Sequence, residues 1–199
     1  GSSGIAFTGS GDDQLLWCFA EDYPAGNGNT LVHWKIGTND KITAPVTADF
    51  TAQRLRGSGL LGNKNVNLTP YGDGVFASQT RVSGGNTTGT PSLLYVDKDG
   101  NITYNSGGDA NIPSSGGGVA ISADGSRMAI AGVKINIRLF NVAWSGNTPY
   151  LNLVRDIPGS ANTSTNEVPQ MTFDTAGNLL AVFAHNTLAE DGLHAFAIP

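Results

Sequence analysis

Residue types that commonly carry out chemistry are few in this chain, and they do not form standard constellations. The three histidines, His33, His185 and His194, have neither the HExxH spacing nor any other spacing typical of metal ligands. No Gly-x-Ser-x-Gly nucleophile elbow occurs. The glycine-rich segments are not followed by the Gly-Lys-Ser/Thr of a phosphate loop. We therefore expect no metal site, no cofactor and no nucleophilic serine.

One short segment has the carboxylate spacing with which calcium loops begin. In Asp97-Lys98-Asp99-Gly100-Asn101, alternate carboxylates can point their oxygens at one hard cation. The later Glu that would complete such a site is missing. The segment also joins the apolar run Leu93–Val96 to Ile102–Tyr104, where a hairpin needs an Asp-Gly type of turn. We favour the turn, with calcium binding as the alternative.

Four other side chains could serve either the core or a site. Cys18 lies within an apolar run, and as a lone cysteine it is expected to be a small buried hydrophobe. His33 is expected on a sheet face with a hydrogen-bond partner. Trp34 is expected in the core and not as a sugar platform. Trp144, in a polar loop, is either an exposed stacking platform or tucked under a hairpin, and the sequence does not choose.

The composition is typical of a folded all-β domain. Only 14% of the 199 residues are charged, 39% are hydrophobic and 27 are glycine, which indicates many turns around one core. The net charge is −5, and the 11 basic residues form no cluster, so a nucleic-acid partner is not expected. No run approaches the roughly 18 apolar residues of a membrane-spanning helix.

The elements that position these residues recur along the chain. An apolar run, a glycine six residues after its first position and a second apolar run are repeated at intervals of about 50 to 60 residues. The four copies begin at residues 5, 66, 119 and 171. Period-two alternation next to Asp-Gly turns predicts antiparallel strands joined by hairpins.

These units resemble the blades of the β-propeller superfamily. The resemblance lies in residues 119–142 and 171–198, and more loosely in 5–36 and 66–96, without a Trp-Asp dipeptide or a kelch Gly-Gly signature. In its Gly-, Asn- and Thr-rich style the chain is similar to secreted bacterial propellers of uncharacterised function. The resemblance implies an all-β domain of about four antiparallel blades, complete or part of a larger propeller. Its blades would span residues 5–60, 61–113, 114–165 and 166–199.

The pattern predicts most strands of these blades. They are Ile5–Thr8, Leu15–Ala20 and Leu31–Ile36 with an outer strand within Lys41–Gly59; Val66–Thr69, Gly74–Thr80, Pro91–Asp97 and Asn101–Asn105; Val119–Ala123, Met128–Ala131, Ile135–Val142 and Tyr150–Ile157; and Gln170–Phe173, Leu179–Phe183 and Leu193–Ile198. The last blade lacks an outer strand. Because an unpaired edge is a hazard, we expect the rest of a propeller or a second chain to complete it.

The resemblance also implies where a ligand would bind. Loops between the second and third strands of propeller blades open on the face that usually carries the ligand site, and three such loops are long here. They carry Glu21, Asp22, Tyr23, Arg81, His185, Glu190 and Asp191.

Two functions follow. The first is a non-catalytic binding or scaffold module for protein or glycan, secreted, periplasmic or on the cell surface. The alternative is an enzyme acting on glycans or lactones, with the loop carboxylates and His185 as acid and base.

Overall fold

A computed structural model places the chain in four antiparallel β-sheets. It describes residues 5–20, 30–36, 66–79, 93–107, 109–113, 118–132, 135–158, 160, 169–183 and 192–198. Besides strands, these residues form one short 3-10 turn at Gly11–Asp13. Within these ranges, no helix is long and apolar enough to cross a membrane.

Each sheet is built from strands that are consecutive in the chain. The first sheet contains β1 (Ile5–Thr8), β2 (Leu15–Ala20) and β3 (Thr30–Lys35); the second contains β4 (Val66–Tyr71), β5 (Gly74–Gln79), β6 (Leu93–Val96) and β7 (Ile102–Asn105). The third contains β8 (Gly118–Ile121), β9 (Arg127–Ala131), β10 (Arg138–Ser145) and β11 (Thr148–Asp156); the fourth contains β12 (Gln170–Phe173), β13 (Leu179–Phe183) and β14 (Gly192–Phe196).

The predicted all-β class is confirmed. The predicted strands among the described residues are also confirmed, and a few of them begin or end at a different residue. β10 begins at Arg138 and not at Ile135, because the Ile137 amide donates to the Ser160 hydroxyl (2.8 Å) and not to a neighbouring strand. β11 begins at Thr148, since Gly146 adopts a positive φ of 57° and reverses the chain in two residues. The outer strand expected within residues 41–59 lies outside the described residues.

The turn glycines confirm the alignment of the four repeats. Each glycine that the alignment matches has a positive φ: 58° at Gly11, 61° at Gly72, 70° at Gly125 and 84° at Gly177. Only glycine adopts such angles without steric cost. A glycine with a positive φ therefore lies in the connection that follows the first strand of every sheet.

Three apolar layers lie between successive sheets. The layer between the first and second sheets includes Trp17, Leu31, Leu68 and Val75. The layer between the second and third includes Phe76, Tyr95, Met128 and Phe140. The layer between the third and fourth includes Ala129, Ile137, Leu179 and Phe183. The sheets therefore stack face to face in chain order, and the first strands of neighbouring sheets contact one another.

This stacking explains the strand patterns. A sheet covered on both faces buries consecutive residues, and in β6 all four residues of Leu93–Val96 are buried. In β9, Met128 and Ile130 face the second sheet, whereas Ala129 and Ala131 face the fourth. Small side chains on one face of β9 let the fourth sheet approach closely, while larger ones fill the other layer.

Candidate functional site

The seven loop residues predicted to line a ligand site lie outside the described residues. They are Glu21, Asp22, Tyr23, Arg81, His185, Glu190 and Asp191. The loop site, and the acid and base roles assigned to it, therefore remain predictions.

The two described histidines take part in packing. His33 is buried on the face that it shares with Leu31, as the alternation in β3 predicted, and its ring centroid lies 4.6 Å from that of Trp17. His194 lies on β14, with its ring edge-on to Phe183 at 5.1 Å. Neither position indicates a catalytic role.

The Asp97 segment forms the predicted turn. One oxygen of the buried Asp97 carboxylate accepts hydrogen bonds from the backbone amides of Asp99 (3.0 Å) and Asn101 (2.8 Å), and the other accepts one from the Asn101 side chain (3.2 Å). Asp174 has the same spacing to Asn178 and makes the same bonds to its backbone and side-chain amides. These carboxylates hold turns together, as Asp commonly does.

The described residues contain no group of three or more His, Cys, Asp or Glu side chains that could hold a metal ion. The alternative of a calcium site at Asp97 and Asp99 therefore gains no support from the arrangement of the described carboxylates.

Among the described residues, an open cleft lies between the second and third sheets. Its volume is about 420 Å³. It is formed by the β4–β5 turn, a side chain of β6 and the β10–β11 turn, and its lining comprises Tyr71, Gly72, Asp73, Tyr95, Trp144, Gly146 and Asn147. We take this cleft as the candidate site.

Trp144 forms one wall of the cleft. Its ring stacks on Tyr71, with centroids 5.0 Å apart and planes at 27°, and it meets Tyr95 edge-on at 5.2 Å. Its indole nitrogen donates to the Gly125 carbonyl (3.1 Å). The question that the sequence left open is thereby answered: Trp144 packs against the second sheet, remains half-exposed, and presents that surface to the cleft.

The two tyrosines are held by their hydroxyl groups. The Tyr95 hydroxyl donates to the Tyr71 carbonyl (2.9 Å), and the Tyr71 hydroxyl donates to the Asp124 carbonyl of the third sheet (2.9 Å). A Cβ at Gly74 would overlap the Tyr95 ring, so glycine is needed for this close approach. Because their hydrogen bonds are already made within the protein, the aromatic walls are pre-organised and not free to rearrange.

The polar groups of the cleft sit on its two turns. The Thr103 hydroxyl donates to the backbone carbonyl of Asn147 (2.7 Å), and this bond fixes the β10–β11 turn. The side chain of Asn147 remains exposed. Asp73, on the opposite turn, is half-exposed. The cleft thus combines flat aromatic surfaces with one carboxylate and one amide.

The Tyr95 phenol is a hydrogen-bond donor at the cleft. Burial, followed by the nearby carboxylates of Asp73 and Asp97, raises the pKa of the Tyr95 phenol above its ordinary value. The phenol therefore keeps its proton at neutral pH. Among the described lining residues, Asp73 is the one carboxylate, whereas glycoside hydrolysis commonly requires a pair.

Sequence reasoning missed this cleft because its residues are far apart in the chain and lie in short turns. Only Trp144 was singled out. The useful signal was the repeat itself: Tyr71 and Asp124 occupy the same repeat position, just before the turn glycine. Equivalent turns of neighbouring sheets lie side by side in such a stack.

Comparison of this chain with protein-family models finds no match, and comparison with curated proteins finds no significant match. The cleft and the stack of sheets therefore carry the functional inference.

Proposed function

We propose that this chain is a non-catalytic, β-propeller-type module that binds a sugar in the cleft between its second and third sheets. The propeller type is supported by the stacking of antiparallel sheets in chain order, with the first strands of neighbouring sheets in contact. As a module of this kind it acts as a scaffold that carries a binding cleft.

The observation that carries the proposal is the stacked pair of Trp144 and Tyr71 beside Asp73 and Asn147. Aromatic rings offer a flat apolar surface, and sugars present a face of C–H groups that packs on such rings. The carboxylate and the amide can accept or donate hydrogen bonds to sugar hydroxyls at the edge of the ring. Aromatic walls with a few polar groups that fix orientation are typical of small-ligand sites.

An enzymatic function is less well supported. Acid–base hydrolysis of a glycan would require two carboxyl groups about 5 to 10 Å apart, and the described lining supplies only Asp73. Low charge and an abundance of Gly, Asn and Thr favour a location outside the cytoplasm, and we include that location in the proposal.

The proposal is tested by thermal unfolding of the chain in the presence of a panel of mono- and oligosaccharides. A ligand that binds only the folded state raises the unfolding midpoint, with about 2.7 kcal/mol of stabilisation at a hundredfold excess over its Kd. Asn147→Ala should weaken the shift without altering the sugar-free midpoint, because Thr103 bonds to the Asn147 backbone. Asn152→Ala, an exposed position of β11, is the matched control.

One sugar class should therefore raise the midpoint of the wild-type chain and of Asn152→Ala, and raise that of Asn147→Ala and Asp73→Asn by less. If no sugar shifts the midpoint, or if all four proteins respond equally, the cleft is not a sugar site.

A further inference from the structure

The three interfaces between sheets have a constant polarity. We call the face that meets the following sheet the forward face and the face that meets the preceding sheet the backward face. Equivalent positions of the second strands, Val75, Met128 and Leu179, each lie on the backward face of their sheet. Among the described residues, no sheet covers the backward face of the first sheet or the forward face of the fourth, and we call these the two free faces.

The free backward face of the first sheet is apolar. Ile5 and Phe7 are 65% and 53% exposed. The strand register places Phe7 opposite Leu16, which in turn lies opposite the half-buried Trp34. Trp34, which was predicted to lie in the core, lies on this face instead and is only half-buried.

Repeat positions show what this face is built to meet. The positions equivalent to Phe7 in the other repeats are Leu68, Ile121 and Phe173, and each packs in the layer against the preceding sheet. Phe7 has the same kind of side chain, but it is 53% exposed.

The free forward face of the fourth sheet is its counterpart. Val182 lies opposite Leu193, and the two side chains are 48% and 69% exposed. In the third sheet, the residue at the position equivalent to Val182 is Ala131. Ala131 is buried in the layer against the fourth sheet. Within one copy the two free faces do not cover each other, since these side chains remain exposed on both.

We propose that two copies of this chain associate head to tail, with the forward face of the fourth sheet in each copy covering the backward face of the first sheet in the other. Each copy has one free face of each kind, so two copies satisfy both by continuing the interface that already joins neighbouring sheets. Such a contact closes into a ring around a two-fold axis. The ring contains twice the four sheets of one copy, within the range of four to eight common for propeller blades.

Sedimentation equilibrium on the whole chain tests this association. The wild type is expected at twice the 20.6 kDa chain mass. Val182→Asp should raise the dimer Kd more than about tenfold, because a carboxylate is desolvated in an apolar interface. Val154→Asp is the matched control: Val154 is also 48% exposed but lies on β11, away from both free faces. It should leave the dimer intact.

Mixing two variants establishes the polarity. Phe7→Asp and Val182→Asp should each sediment as a monomer, whereas an equimolar mixture should form a mixed dimer, because one interface between unlike copies remains wild type. If Val182→Asp does not fold by circular dichroism, Leu193→Asp replaces it, since Leu193 is the more exposed residue of that face.

A monomeric wild type would overturn the proposal, including a monomer whose free faces close on each other. So would a dimer that Phe7→Asp disrupts and Val182→Asp does not, since that pattern indicates a symmetric contact between the first sheets. A mixture of the two variants that stays monomeric would also contradict it.

Discussion

The hydroxyl of Tyr71 donates a 2.9 Å hydrogen bond to the backbone carbonyl of Asp124, and the two residues are 53 positions apart. They occupy the same position of neighbouring repeats, immediately before the turn glycine. This bond therefore joins the second sheet to the third at equivalent turns. It also fixes the Tyr71 ring against which Trp144 stacks at the cleft.

Removing this hydroxyl tests the link between the sheets. Tyr71→Phe keeps the ring and loses the hydrogen bond, so we expect the free energy of unfolding to fall by about 0.5–1.5 kcal/mol. Urea denaturation followed by tryptophan fluorescence measures it. Tyr150→Phe, at an exposed position of β11, should cost almost nothing. Equal losses in the two variants would argue against a stabilising bond.

Two features require glycine at position 125: its backbone angle and the close approach of Tyr71. Its φ is 70°, and a Cβ there would overlap the Tyr71 hydroxyl. Gly177 has a φ of 84° but open space around the Cβ position. We expect Gly177→Ala to cost about 1–2 kcal/mol of unfolding free energy and Gly125→Ala about 1–3 kcal/mol more. The same denaturation experiment measures the costs of both substitutions. Similar costs would show that the Tyr71 side chain moves aside without loss of stability.

A buried hydrogen bond stabilises the layer between the first and second sheets. The indole nitrogen of Trp17 donates to the Thr8 hydroxyl at 2.7 Å. Thr8→Val preserves the shape but leaves the indole N–H without its acceptor, which should cost about 1–3 kcal/mol of unfolding free energy. Thr8→Ser retains the acceptor and should cost clearly less. If serine is as destabilising as valine, loss of the γ-methyl group costs as much as loss of the acceptor, and the bond is not the main contribution of Thr8 to stability.

The turn carboxylate of Asp124 should make stability depend on pH. Hydrogen bonds from the Ser122 hydroxyl (2.6 Å) and from Ser126 lower the pKa of Asp124 from 3.8 to about 2. A folded-state pKa below the unfolded value stabilises the protein above about pH 4, and this stabilisation is lost as the pH falls toward 2.

Asp124→Asn removes that dependence. The difference in unfolding free energy between wild type and this variant should therefore shrink between about pH 4 and pH 2, as measured by urea denaturation at each pH. A difference that stays constant over this range would show that the folded pKa is not lowered.

Much of the fold could be predicted from the sequence because its signals are local. Apolar runs bounded by Asp-Gly turns set the strands, and the turn glycines Gly72, Gly125 and Gly177 set the repeat. The predicted start of β10 was wrong because it depends on a partner that is distant in the chain. Ser160, whose hydroxyl accepts a hydrogen bond from the Ile137 amide, is 23 residues away. No pattern around Ile137 indicates that bond.

The candidate site was less accessible to prediction. The stacking of Trp144 on Tyr71 depends on two sheets meeting at one edge, and strand patterns alone do not reveal which short turns approach each other. The loop residues chosen instead, including His185 and Glu190, followed from a resemblance to propellers and not from contacts.

The most direct test of the proposed function is an NMR titration of the indole N–H signals with the sugar panel. The chain has three tryptophans: Trp17 is buried, Trp34 lies on the free face of the first sheet, and Trp144 lines the cleft. We predict that one sugar class shifts the Trp144 signal and leaves the Trp17 and Trp34 signals in place. A shift of the Trp34 signal alone, or no shift with any sugar, would contradict sugar binding in this cleft.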